Sequence, residues 1–384
     1  MIEQENEVKK VLDNLSSPNI AVIGLTGVGK SSLINKIFGN NIATTGAGRA
    51  VTDKYTKYSP NAFDIDLPVN LYDSPGYEPG NEQEYFVKKT INFLKETNRK
   101  GQEEQIHVIW YLISASSARL TQADIDILEE INHNYIPAII VLSKCDIAQQ
   151  SQKEEVKKAI EETNFSKVYK TVEVAADPLT LPNGKYICEP FGMKELVNLT
   201  AELLPKIYSD AVIIAQIVDI ESKRELAWKY IREASIACFG VATAVSIPLS
   251  SLTSAIAALG YMYNRIIAIY GHTNLSLLEA ISGISLEGLV ALVVGGAIDL
   301  FSWSMPGISI LKGGAAAAFT AVSGMAFTNT CERLAISQVT GTETEIKQKI
   351  REIFQEEFKK LSTIRITTPN DLDKVGRNFI DNDN

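Results

Sequence analysis

Cysteine and histidine are scarce in this 384-residue chain, and their placement removes several function classes at once. The four cysteines, Cys145, Cys188, Cys238 and Cys331, are far apart and never form C-x-x-C. Neither a zinc site nor a disulfide framework is expected, and a reducing cytoplasm fits. His107, His133 and His272 show no metal-ligand spacing and read as ordinary surface or core residues. Positive charge is also short, with a formal net charge of −9. No broad basic surface is available, so nucleic acid is not expected as a partner, nor simple electrostatic docking on anionic lipid. The opening Met1-Ile2-Glu3-Gln4-Glu5-Asn6-Glu7 is acidic where a secretion signal is basic and then apolar, so export by that route is not expected. The chain also lacks an internal repeat of fixed period and a low-complexity tail.

Apolar residues are plentiful: at 45% of the chain they suffice for two or three domains with sizeable cores. The stretch Gly24-Leu25-Thr26-Gly27-Val28-Gly29-Lys30-Ser31 fits the pattern G-x-x-x-x-G-K-[ST], with an apolar strand before it, Ile20 to Ile23, and a helix after it, Ser32 to Phe38. Glycines at 24, 27 and 29 let the backbone wrap around phosphate oxygens, and backbone N–H groups at the helix start point at an anion. Gly24, Gly27, Val28, Gly29, Lys30, Ser31 and Ser32 are therefore the candidate phosphate binders. Lys30 supplies a point charge for the β- and γ-phosphates, and the Ser31 hydroxyl is placed for Mg²⁺. The motif marks a nucleotide site without naming the nucleotide.

Before it, Val8, Val11, Leu12 and Leu15 recur at helical spacing until Ser16-Ser17-Pro18, giving an N-terminal helix within residues 1–18. After it, Asn40 to Arg49 is polar and aperiodic, as befits a loop near a ligand. Strands are expected within Val51 to Tyr58 and at Val69 to Asp73, Ile106 to Ile113, Pro137 to Leu142 and Tyr169 to Val174. Helices are expected at Thr121 to Ile131, opened by a capping box of Thr121 and Asp124, and at Met193 to Leu204. Strands alternating with helices predict an α/β domain with a mostly parallel sheet and helices on both faces. Three strand ends carry further motifs: Asp73-Ser74-Pro75-Gly76, Ser143-Lys144-Cys145-Asp146 and Ala175-Ala176.

In this order the four motifs resemble a P-loop GTPase of the translation-factor-related class, similar to Era-like and immunity-related GTPases, over residues 19–205. The resemblance implies GTP or GDP with Mg²⁺. Ser143, Lys144 and Asp146 stand at [NT]-K-x-D, and Ala175-Ala176 at the [ST]-A-x loop whose backbone amide reads guanine O6. Ser31, Thr52 and Asp73 are implied around Mg²⁺, Asp73 through water, and Lys30, Thr52 and the Gly76 amide around the γ-phosphate. Ser143 departs from Asn or Thr, which weakens a brace between loops, and Ala175 departs from Ser. Tyr77 stands where Ras-like enzymes place a water-orienting Gln. Slow, activation-dependent GTP hydrolysis is implied, with the missing group supplied by a partner or by a second copy facing the nucleotide. Arg49 could reach across such a homodimer, although a solvated loop arginine is the plainer reading.

Residues 206–340 read as an all-α domain of unusual hydrophobicity. A helical pattern runs from Ile207 to Glu233; Ala234 to Asn264 then holds no charge and is broken by Pro248. Ile281 to Thr330 holds only Glu287, Asp299 and Lys312 as charges. Membrane hairpins and the buried helices of a bundle both fit such runs. The frequent breaks and internal charges favour a compact bundle with conditional membrane contact. Ser246-Ile247-Pro248-Leu249-Ser250, Ala268-Ile269-Tyr270-Gly271 and Pro306-Gly307-Ile308 resemble a hydrophobic bacterial domain of unknown function that often follows such GTPases; immunity-related GTPases also carry a helical domain and act on membranes. Residues 341–365 form an amphipathic helix through Ile346, Ile350, Ile353, Phe354, Phe358 and Leu361, and 366–384 read as a frayed polar tail. The expected protein is a GTP-binding switch whose nucleotide state controls the helical domain in self-association or membrane contact. The alternatives are an integral membrane protein with a cytosolic GTPase head, remodelling the bilayer or carrying transport, and a nucleotide-binding scaffold without turnover.

Overall fold

A computed structural model describes residues 11, 15–39, 42–43, 55–58, 68–75, 83–101, 103–117, 119–163, 165–166, 168–182, 184–241, 249–271, 313–337 and 343–381. They fall into two units, one spanning Leu15–Asp219 and the other holding the residues before Leu15 together with those from Ile220 onward. The first unit holds a sheet of six strands: β1 (Asn19–Gly24), β2 (Thr56–Tyr58), β3 (Asn70–Asp73), β4 (Val108–Ser114), β5 (Ala138–Ser143) and β6 (Val168–Glu173). Their order is β2-β3-β1-β4-β5-β6, all parallel except β2, which runs antiparallel to β3.

The helices of this unit are α1 (Lys30–Phe38), α2 (Gln83–Asn98), α3 (Gln122–His133), α4 (Gln150–Thr163), α5 (Met193–Leu203) and α6 (Lys206–Ala215). Both faces of the sheet are covered because alternate residues of one strand point to opposite sides. Ile20 and Val22 of β1 join a core with Leu33, Ile34 and Ile37 of α1, Leu196 of α5 and Val212 of α6. Ala21 and Ile23 join a second core with Leu94 of α2, Ile127 and Leu128 of α3 and Val156 of α4. The strands thus read as near-continuous apolar runs. Tertiary polar contacts fix the registers: Trp110 Nε1–H donates to Thr200 Oγ1 at 2.9 Å, and Tyr111 donates to Asp124 at 2.8 Å. The capping box opens α3, with Thr121 N–H on Asp124 Oδ2 at 2.8 Å and Asp124 N–H on Thr121 Oγ1 at 3.3 Å.

Several expectations are corrected here. The helix after the phosphate loop starts at Lys30, not Ser32, because Gly29 in the left-handed region already turns the chain into it. The pattern from Ile207 to Glu233 is two helices, because the wholly buried Gln216 interrupts it. Its Oε1 accepts the N–H groups of Val218 and Asp219 at 2.7 Å each, and its Nε2 donates to Asp219 O at 2.8 Å. The unit boundary accordingly falls at Asp219, not at 205: α6 buries Tyr208, Val212 and Ala215 in the same core as α1. The N-terminal helix lies outside the described residues except Val11 and the stretch from Leu15.

The second unit contains α7 (Ile220–Val241), α8 (Leu249–Gly271), α9 (Gly313–Ser337), α10 (Glu343–Leu361) and α11 (Pro369–Asp381). From Thr320 to Thr328 every residue of α9 is buried, as for a central helix apolar on all sides. Small residues let neighbours close in: a Cβ on Gly324 would come 2.7 Å from Ile231 of α7 and 2.8 Å from Met262 of α8. Among the described residues no helix is long and apolar enough to cross a membrane. Pro248, Glu287, Asp299 and Lys312 lie outside them.

Residues 369–381, expected as part of a frayed tail, are helical. Asp371 Oδ2 accepts the N–H and hydroxyl groups of Thr367 and Thr368 at 2.8–3.1 Å, closing the helix start. Leu372, Gly376 and Phe379 then form a buried stripe, with Gly376 seated on Trp228 of α7.

Candidate functional site

The carboxyl ends of parallel strands are where open α/β sheets bind ligands, and the register brings the sequence motifs there. Gly24 pairs with Leu112, Asp73 with Val22, Ser143 with Ser114, and Glu173, just before Ala175-Ala176, with Leu142. The phosphate loop, Asp73, Ser143 to Asp146 and Ala175-Ala176 therefore leave β1, β3, β5 and β6 on one edge of the sheet. Thr52, Gly76, Tyr77 and Arg49 lie outside the described residues.

The loop's shape depends on glycine at three places. Gly27 and Gly29 stand at φ +73° and +98°, and a Cβ at Gly24 would sit 2.6 Å from Leu112 O. Val28 is buried, while Ser31 and Ser32 are half-buried at the start of α1. Lys30 Nζ, inside the loop, donates to Gly24 O at 2.9 Å and Leu25 O at 3.2 Å. Burial lowers the Lys30 pKa, opposed by the nearby Asp73 carboxylate. Burial likewise pushes Asp73 up to about 6, and Lys30 only partly offsets it.

Polar atoms here are left without partners. Thr26 Oγ1, Asp73 Oδ1 and Ser74 Oγ are buried and make no hydrogen bond among the described residues. Buried polar atoms are normally satisfied, so three orphans around a phosphate-loop sequence point to a polar ligand. A buried carboxylate with an orphan oxygen, at the sheet edge that also carries the phosphate loop, suits a divalent cation held jointly by protein and phosphate. No cluster of three His, Cys, Asp or Glu side chains is present among the described residues, so such a cation would depend on a bound nucleotide for further ligands.

The site's edges are pinned by residues without motif signals. Asn35 of α1 grips the backbone of Ala43 twice, Nδ2–H to its carbonyl at 2.8 Å and Oδ1 from its N–H at 2.7 Å. Tyr55, leading into β2, stacks on Phe93 of α2 at 3.7 Å and donates to Thr90 at 3.1 Å. On the far side, Ser143 Oγ donates to Ile113 O at 3.2 Å. Lys144 adopts φ +57°, an uncommon value for a non-glycine residue, and is exposed. Asp146 Oδ2 accepts the Leu179 N–H at 2.9 Å. Ala175 N–H is engaged with Phe191 O at 3.1 Å, whereas Ala176 N–H makes no hydrogen bond among the described residues. Of the two alanines expected to read O6, only Ala176 has its amide available.

Residues 19–144 match the family described as 50S ribosome-binding GTPase. The probable GTP-binding protein EngB of Aquifex aeolicus is 32% identical over 143 residues, covering 35% of this chain and 70% of EngB. The chain belongs to the P-loop GTPases related to EngB and Era. GTPase Era of Fusobacterium nucleatum is 32% identical over 150 residues, covering 37% of this chain and 45% of Era. Cell division control protein 10 of Candida albicans is 24% identical over 166 residues, covering 37% of this chain and 46% of that protein. This GTPase thus spans under half the length of several curated relatives, and no family match identifies its helical unit.

Thr26 and Ser74 occupy free positions of their motifs, so the patterns do not single them out. Leu179 contributes a backbone N–H from 33 positions beyond Asp146, for which no sequence pattern exists.

Proposed function

We propose that this GTPase is a slowly hydrolysing GTP switch whose nucleotide state acts on its helical unit and, through it, on self-association. The observation that carries this reading is the set of orphan oxygens of Thr26, Asp73 and Ser74 around Lys30, an arrangement left incomplete by protein atoms alone. The amides at the start of α1 and the Lys30 ammonium would bind the phosphates, with Lys30 exchanging its carbonyl partners for phosphate oxygens as charge builds. Ser31 and Asp73 would hold the Mg²⁺ that accompanies the nucleotide, which supplies charge neutralisation between the β- and γ-phosphates. Asp146 would accept guanine N1–H and N2–H₂, the Ala176 amide would donate to O6, and Lys144 would lie along the base.

Since Tyr77, not Gln, directly follows Asp73-Ser74-Pro75-Gly76, we infer that the attacking water is oriented by another molecule. A second copy facing the nucleotide is the simplest source. Loss of the γ-phosphate would release the segments that follow Asp73 and Ala43, the step by which such switches signal. The test is titration with GDP and GTP at fixed Mg²⁺. Micromolar or tighter binding, lost in Lys30→Ala, is expected; guanine binding that survives this change contradicts the assignment.

A further inference from the structure

Asp146 can read guanine only if its carboxylate plane faces the base, and something must hold it there. Its motif neighbours do not: Ser143 Oγ is committed to Ile113 O, and Ala175 has no hydroxyl. The described contact on the carboxylate is the Leu179 N–H on Oδ2. Leu179 begins a small hairpin between β6 and α5, outside every motif. Thr180 and Tyr186 pair antiparallel, Ile187 N–H donates to Leu179 O at 2.9 Å, and Leu181 N–H donates to Lys185 O at 2.7 Å. Gly184 turns the chain at φ +79°, and its N–H closes on Leu181 O at 2.9 Å. The position of the Leu179 amide is thereby set by the register of the hairpin.

We propose that the 179–187 hairpin is the positioning element of base recognition, its Leu179 N–H orienting the Asp146 carboxylate toward guanine. This rests on the reading of Asp146 as the guanine reader. An oxygen of a carboxylate accepts two hydrogen bonds, so Oδ2 can keep Leu179 while it accepts from the base. The hairpin also makes a sharper statement about Asp146→Asn. A carboxamide has one acceptor and one donor end, and the fixed N–H of Leu179 must meet the acceptor. The NH₂ end is then turned to the base, where it suits the C2 carbonyl of xanthine and clashes with the N2–H₂ of guanine. A wild-type hairpin thus converts Asp146→Asn into a clean guanine-to-xanthine exchange, and a broken one leaves the carboxamide free to turn either way.

The test measures GDP and XDP affinity of the full chain with Mg²⁺ for Leu179→Pro, which deletes the N–H, alone and combined with Asp146→Asn. A charge-assisted hydrogen bond of this kind corresponds to roughly tenfold in affinity. Leu179→Pro is expected to weaken GDP about tenfold, and the conservative Leu179→Ala, which keeps the N–H, to restore it. Gly184→Ala, strained only by its positive φ because open space surrounds it, is expected to cost a few-fold without disturbing the core. In the double variant the XDP preference of Asp146→Asn should collapse. Equal losses in Leu179→Pro and Leu179→Ala, or an XDP preference indifferent to the hairpin, overturn the positioning role while sparing the assignment of Asp146. Unchanged guanine preference in Asp146→Asn overturns that assignment, and the hairpin's role with it.

Discussion

Single side chains in this protein sit in two kinds of buried setting. At the phosphate loop, burial lowers the Lys30 pKa and raises that of Asp73, displacements that a bound charged ligand would offset. In the helical unit, Lys223 of α7 is buried with its Nζ on Ile269 O of α8 at 2.5 Å and the Tyr270 ring 6.0 Å away. Its neighbour Arg224 pairs with Glu332 of α9, which also accepts from the Tyr270 hydroxyl at 2.8 Å. Burial lowers the Lys223 pKa to about 7. Between that value and the ordinary lysine range the unfolded chain holds the proton and the folded one does not, so stability must rise with pH. Cys331 and Tyr270 oppose this in more alkaline solution, since burial raises both pKa values and folding then keeps their protons. Denaturant unfolding of the helical unit should therefore show stability climbing from about pH 7 to about pH 8.5, by at most about 1.4 kcal/mol per pH unit. Lys223→Met should flatten the climb; the same slope in that variant would show that another group titrates.

Among the elements, those with strong periodicity or motif context were legible in the sequence. β1, β4 and β5 announced themselves as apolar runs, and α3 by its capping box. Helices α2 and α4 did not, because their exposed faces are rich in charge and only a few residues face the sheet, such as Phe86 and Leu94, or Val156 and Ile160. The break at Gln216 was hidden because a helix interrupted by side-chain hydrogen bonds leaves the apolar spacing on either side intact. Terminal helix α11 was hidden because its buried stripe is only Leu372, Gly376 and Phe379, and glycine carries no hydrophobic signal. Its docking nonetheless depends on that glycine, since a Cβ there would lie 2.2 Å from Trp228 Cε2. Arg232, paired with Asp373 at 2.7 Å, adds only a half-exposed contact. Gly376→Ala should cost the helical unit about 1–3 kcal/mol, read as a lower midpoint of unfolding, with GDP affinity unaltered. An unshifted midpoint would mean that α11 packs elsewhere in solution.

For the whole molecule, the α/β architecture and the gathering of the four motifs on one sheet edge were readable because each motif ends a strand and parallel register forces those ends together. What was not readable is the support around them: Asn35 on Ala43, Tyr55 on Phe93 and Leu179 on Asp146 are contacts between positions that follow no fixed spacing. Even the boundary between the units depended on such support, since α6 belongs by its buried residues to the nucleotide unit. Two separately packed units fit a switch in which one reads the nucleotide and the other responds. Tyr77 stands where Ras-like enzymes place a water-orienting Gln, and the proposed switch takes that orientation from a second copy. GTP turnover per molecule, followed against protein concentration at saturating GTP and Mg²⁺, tests this most directly. The account predicts a rate that rises with concentration and vanishes in Lys30→Ala; a concentration-independent rate would contradict activation by self-association.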